Sequence, residues 1–501
     1  MGTVSKILRY LKSNTEEVIL LITSALLILL SVCADAQSPS KRINSTAVPV
    51  APDTSFYVHI QEQLNSNHSQ ATLYYPVAVK HFYTLNSFQP AWVKAGRNTD
   101  KTWQAMIMID CVLQFGLSNN DYHPHELLYN KLHDILETPQ RISNNEKVRF
   151  DFLLTDALIS LMNNMHFGKL NPDYPASKID GEMINGFNAE TVLFSALKRA
   201  DFMTVLIGVQ PKSIDYIHLQ NYMRVVSGQQ AGDCYEVPDG VLKKVAINME
   251  RLRWAEIAKE TYIHINIPSY SLKFYQPDTV YSFKVIVGKP ANPTPGLQSA
   301  IGYFTTAPEW KVPKKIFVKE ILPKALANIE YLEHNHFDIY NDKGVWIEPT
   351  RANLLAINQA RGNYHATQSS GCDNALGLVV FRFPNIYDIY LHDTPEQKLF
   401  KKDERAFSHG CIRVEQAEKL AGLILKNDNS IDKIAVVHKA IATYTTKTFT
   451  LKKPLPIVVT YLTCEVANGI CTIYPDIYGL DDSLAMALYQ KYPVLTINTI
   501  K

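Results

Sequence analysis

At 501 residues, with 46% hydrophobic and 20% charged positions, the chain has room for about three domains and enough apolar surface to bury large cores. A formal net charge of +2, with no basic run or aromatic-basic stripe, gives no reason to expect nucleic acid as a partner.

Lys6, Arg9 and Lys12 precede the apolar run Val18 to Val32, and Ala34-Asp35-Ala36 follows. A basic segment, an apolar stretch and an A-x-A site read as a secretory signal over residues 1–36. The apolar stretch is short of the roughly 20 residues a membrane span needs, so an uncleaved anchor is the second reading. A lipoprotein through Cys33 is the third, weakened by the bulky Val32 before it. All three place the body of the chain outside the cytoplasm, with the membrane touched only through a possible N-terminal anchor.

Residues 37–54 are rich in Ser, Pro and Thr and read as a linker. From 55 to 248 apolar residues recur at three- and four-residue spacing, as in "FDFLLTDALISLMNNMHFGKL", which predicts a helical scaffold without a catalytic constellation. From 249 to 445 the texture turns to alternating, β-branched and aromatic runs such as "TYIHINIPSYSLKFY", the mark of strands and hairpins. Within it, 311–373 is a charged, helical insertion and a candidate lid. Residues 446–501 read as a hairpin followed by a helix. Cys464 and Cys471 flank the Asn468-Gly469 turn signal, and whether they bridge depends on a register the sequence does not give.

One stretch carries chemistry. Ser408-His409-Gly410-Cys411-Ile412-Arg413 sets a hydroxyl, an imidazole, a glycine and a thiol together, fifteen residues (393–407) after His392 at the end of a strand-like run. The helical periodicity of "VEQAEKLAGLIL" predicts a helix start near the thiol, whose partial positive charge would favour a thiolate. A histidine beside the sulfur would serve as base, and Gly410 leaves room for backbone N–H groups to meet an oxyanion. Taken singly, each of these residues is more often structural. Ser369-Ser370-Gly371-Cys372-Asp373-Asn374 repeats the frame but has no histidine at the matching distance, an anionic residue after the thiol, and a strand behind it. Cys372 is therefore read as a lid-end residue. The pairs His123/His125 and His334/His336 lack a third ligand at useful spacing, so no metal site is expected.

The frame from His392 to Arg413 resembles the L,D-transpeptidase signature of YkuD-type domains. "NMERLRW", "VIVGKPANPTP", "EWKVPKKIFVKEILP", "NALGLVVFRFPN", "LHDTPEQKLF" and "DIYG" extend the likeness to the large periplasmic, YcbB-like branch. The resemblance implies an α+β protein: an N-terminal helical scaffold domain, then a mainly β YkuD-type catalytic domain with a helical lid insertion. It implies peptidoglycan peptide stems as partners, both donor tetrapeptide and acceptor amine, and neither metal nor organic cofactor. Cys411 would attack the stem, release the terminal D-alanine and form a thioester, which an acceptor amine resolves into a 3→3 cross-link. His392 would be the general base, His409 would support the thiolate, and the Gly410 and Cys411 backbone would form the oxyanion hole. Ser408, Arg413 and Asp393 would orient substrate or base, Arg413 by binding a stem carboxylate or bracing the loop and Asp393 through its backbone carbonyl. The peptidoglycan-binding module expected before "NMER" is shortened or absent. Two rivals stand beside this reading: the same site resolved by water as an L,D-carboxypeptidase, and a non-catalytic wall-binding scaffold.

Overall fold

A computed structural model describes residues 54–66, 72–93, 99–229, 239–255, 257, 260–360 and 363–489. The residues read as signal or anchor, most of the linker, Cys33 and Cys234 lie outside these. No helix among the described residues is long and apolar enough to cross a membrane.

The helical part is organised around the helix Asn144–His166, opened by a capping box in which Ser143 and Glu146 satisfy each other's backbone N–H groups. This helix is buried on nearly every side, as expected of one that is apolar all round. Two carboxylates inside it hold the neighbouring loops. Asp151 accepts from the backbone N–H groups of Ala91, Trp92 and Val93 at 3.0, 2.8 and 3.0 Å, and from the Tyr83 hydroxyl. Asp156 accepts from the backbone of Tyr74 and Tyr75 and meets His123 Nε2 at 2.6 Å. His123 is thus committed to an internal carboxylate.

The helices Ile214–Gln229 and Gly240–Arg253 are separated by residues 230–239, ten residues and too few for a separate folded module. They pack on each other through Leu219, Met223, Leu242, Val245 and Met249. The second carries "NMERLR", and its Arg251 and Lys244 both reach Asp481 at 2.7 Å, tying the C-terminal helix Asp481–Tyr489 to the scaffold.

The strands are β1 (Tyr262–Asn266), β2 (Ser271–Gln276), β3 (Thr279–Gly288) and β4 (Leu297–Thr306), then β5 (Trp310–Lys311), β6 (Phe337–Asn341), β7 (Trp346–Ile347) and β8 (Tyr364–Gln368). After them come β9 (Val379–Arg382), β10 (Leu391–His392), β11 (Ala406–Ser408), β12 (Ile412–Val414), β13 (Lys447–Thr460), β14 (Cys464–Ala467) and β15 (Ile470–Ile473). One sheet runs β11-β3-β12-β10-β9-β4-β13-β1-β2, and β2 also pairs with β3, so eight strands close into a ring with β11 on its rim. Its interior is aliphatic and aromatic, with Ile265, Val285, Phe304, Phe381, Leu391 and Ile457 among the buried residues, and the helix Ala417–Asn427 packs against it. The mainly β character and the α+β class agree with the sequence reading.

The insertion has the expected helices, among them Leu322–Ala327 and Arg351–Ala360, and in addition a four-stranded sheet, β5-β8-β6-β7, with its own core. Its strands are two to five residues long and interleaved with helices, so no alternation was long enough to announce them. The C-terminal hairpin turns on Asn468 and Gly469, both with positive φ (52° and 76°), as a two-residue turn of this type requires. Cys464 faces Ile473 and Cys471 faces Val466, so the two cysteines sit diagonally, and both are free thiols.

Candidate active site

The loop of residues 409–411, which carries the candidate nucleophile, arches over the end of β3, because β11 runs beside that strand on one flank and β12 on the other. Two glycines make the crossing possible. Gly410 has φ +121°, outside the range of ordinary side chains, and a Cβ on Gly288 would lie 2.2 Å from the Asn292 carbonyl. Thr294 stitches the layers together: its Oγ1 accepts from Gly288 N–H at 2.8 Å and donates to the Gly410 carbonyl at 2.7 Å. The Tyr478 hydroxyl, from "DIYG", donates to the Gly288 carbonyl at 2.7 Å and accepts from Thr294 N–H at 3.1 Å.

Sheet register decides which side chains meet. Tyr303 pairs with Arg382, Leu391 pairs with Phe381 and with Ile412, and His392 pairs with Val380 and Arg413. One residue back along β10, Tyr390 therefore stands between Arg382 and Cys411. Side chains alternate between faces, so Tyr303, Arg382, Tyr390 and Cys411 form one row, and His392 and Arg413 belong to the next row on the same face, about 6–7 Å along.

Cys411 is half-buried; its sulfur lies 3.9 Å from the Asp388 carbonyl and is hydrogen-bonded by the Tyr390 hydroxyl and backbone N–H. Burial pushes its thiol up from the ordinary value, against the pull of those two hydrogen bonds and of the Arg382 charge. The helix expected to favour a thiolate begins only at Ala417, because Ile412–Val414 is taken into the sheet as β12. Helix-end effects fade within a turn, so they do not reach the sulfur.

His392 is buried, and burial together with the Arg413 and Arg382 charges pushes it down to about 3, against the pull of the Asp393 and Leu376 carbonyls. The Asp393 carbonyl lies 2.6 Å from Nδ1, and the bond assigns the proton to that nitrogen and leaves Nε2 basic. Asp393 itself accepts from Leu378 N–H at 2.9 Å and Gln397 Nε2 at 3.0 Å. Both shifts favour the neutral form of the side chain.

The remaining signature residues take structural positions. Ser408 is buried, donates to the Cys411 carbonyl at 2.5 Å and accepts from Gly410 N–H at 3.1 Å, so it shapes the loop. That bond occupies the Gly410 N–H expected in the oxyanion hole, whereas the Cys411 N–H has no acceptor among the described residues. Arg413 pairs with Glu396 at 2.5 Å and braces the loop that follows His392. His409 is exposed, and its Nε2 meets Glu320 Oε1 at 2.5 Å. Glu320 lies in a π-turn, Phe317–Ile321, of the insertion, so the insertion is tied directly to the nucleophile loop. Lys315 adds a second tie at 3.1 Å to Asn292. In the twin motif, Cys372 is exposed and Asp373 pairs with His336 at 2.9 Å.

Sequence reasoning missed Tyr390, Thr294, Arg382 and Glu320. The alternation in "IYLH" could have placed Tyr390 on the face of His392; nothing local points from Glu320 to a histidine 89 positions away.

Comparison with known proteins agrees with this architecture. The model of the YkuD L,D-transpeptidase catalytic domain matches residues 260–437, and the Scaffold domain model matches residues 77–223. The chain thus carries a YkuD-type catalytic domain behind a Scaffold domain, the combination implied by its resemblance to YcbB-like proteins. A Haemophilus influenzae protein provisionally named an L,D-transpeptidase is 31% identical over 260 residues, 50% of this chain. The chain spans about half, 52%, of that relative's length.

Proposed function

We propose that the protein is a peptidoglycan L,D-transpeptidase of the periplasm that forms 3→3 cross-links through a thioester on Cys411. The observation that carries this reading is the placement of Cys411 and His392 in adjacent rows on one sheet face, within the stretch matched by the YkuD model. Cys411 Sγ attacks the carbonyl of the third stem residue as His392 Nε2 accepts the thiol proton. The S–C bond forms, the C–N bond to D-alanine breaks, and the proton passes to the leaving amine. An acceptor amine then attacks the thioester; a C–N bond forms, the C–S bond breaks, and the proton returns through His392 to sulfur.

The Cys411 N–H is the backbone donor left for the oxyanion, and the Tyr390 hydroxyl stands beside it. Burial and the neighbouring Cys411 push the Tyr390 hydroxyl up, which keeps it a donor. His409, held by Glu320, positions the loop under the insertion. The test is incubation with disaccharide-tetrapeptides followed by muropeptide analysis. Dimers joined 3→3 with release of D-alanine are expected. Tripeptide alone would assign the site to hydrolysis, and no product would refute the reading.

A further inference from the structure

Two arginines share the catalytic face, and they differ in their partners. Arg413 is occupied by Glu396. Among the described residues the Arg382 guanidinium has no carboxylate within ion-pair distance and no hydrogen bond; it lies over the Tyr390 ring, its Cζ 4.9 Å from the centroid. A contact with a ring face uses none of the guanidinium N–H donors. Arg382 lines a pocket of about 620 Å³ with Tyr303, Asn385, Asp388 and Tyr390. Two of its lining residues neighbour Cys411: Tyr390 stands beside it in the sheet, and the Asp388 carbonyl lies 3.9 Å from the sulfur. Asp388 lines the same pocket outside ion-pair distance of Arg382, and its backbone has φ 54°.

An unpaired, fork-shaped donor in a pocket beside an acyl-transfer nucleophile matches one ligand chemistry, a carboxylate held by parallel charge-assisted bonds. Resting on the reading above, the amine side of the thioester is the place to look for it. D-alanine leaves as an amine with a carboxylate on the adjacent carbon. By microscopic reversibility, an incoming amine of the same form uses the same subsite. We propose that Arg382 is the specificity residue of this amine-side pocket, and that it binds the carboxylate one carbon from the reacting nitrogen. The role that the signature suggested for Arg413 thereby passes to a residue outside the signature.

The experiment uses the full chain with Cys411→Ala, which removes turnover, and measures binding of a tetrapeptide stem ending in D-alanine as free acid and as its C-terminal amide. The acid is expected to bind about tenfold or more tighter than the amide. That preference collapses to near unity in a background of Arg382→Gln and is partly kept by Arg382→Lys, which retains the charge without the fork. A role limited to the field at the sulfur would weaken both ligands alike. An acid preference that survives Arg382→Gln, or no preference in the parent protein, overturns the proposal. If native Cys411 forms no thioester, the function proposed above fails, and the acid-to-amide comparison still decides the role of Arg382.

Discussion

Replacing His392 with asparagine is expected to slow thioester formation on Cys411 by a factor of about 100 to 10,000, the usual weight of a positioned proton acceptor. The thiol is pushed up by burial and does not sit at a helix start, so it has little thiolate of its own and depends on a base. His392 is the imidazole on the same sheet face, and the Asp393 carbonyl fixes its tautomer. Its value of about 3 gives the prediction a pH signature. The ring stays unprotonated down to that value, so kcat/KM should show no histidine limb near the ordinary 6.5. The same shift bears on stability. The folded value lies below the unfolded one, so stability from keeping the ring neutral is complete above pH 6.5 and is lost as pH falls from 6.5 through 3. Rapid-mix acylation kinetics from pH 4 to 8 check both the size of the loss and the limb. Undiminished acylation in the variant would show that His392 is not the proton acceptor.

The largest stability effect is expected far from the site. Asp151→Ala should cost about 3–5 kcal/mol, because it strands the N–H groups of Ala91, Trp92 and Val93 in a dry interior. Burial pushes the Asp151 carboxyl up and those bonds pull it back, so this group is held ionisable only by its partners. At roughly 2–4 °C per kcal/mol, the scaffold should melt about 10 °C earlier. Asp151→Asn keeps one acceptor oxygen and should lose less. Scanning calorimetry of both variants checks the order; equal melting of Asp151→Ala and the parent would show that the carboxylate does not hold the loop.

Much of the fold was legible because its signals are local. Periodicity through Asn144–His166 and the Asn468-Gly469 turn each sit within one element. The spacing from His392 to Cys411 was legible as well, since parallel strands β10 and β12 turn it directly into adjacency. What stayed hidden depends on tertiary placement. A three-residue strand, Ile412–Val414, displaced the expected helix start, because pairing with β3 and β10 overrides the local pattern. Ser408 looked like a substrate contact until the loop closed on it. Arg382 and Glu320 become functional candidates only through the row they join or the histidine they reach.

The claim at the centre is that Cys411 is the acyl carrier. Intact-protein mass spectrometry of the full chain, quenched in acid after mixing with a tetrapeptide stem, tests it most directly. The expected result is a mass increase equal to the stem without its terminal D-alanine, mapped to the peptide bearing Cys411 and absent from Cys411→Ala but present in Cys372→Ala. An adduct that persists in Cys411→Ala, or that maps to Cys372, would contradict it.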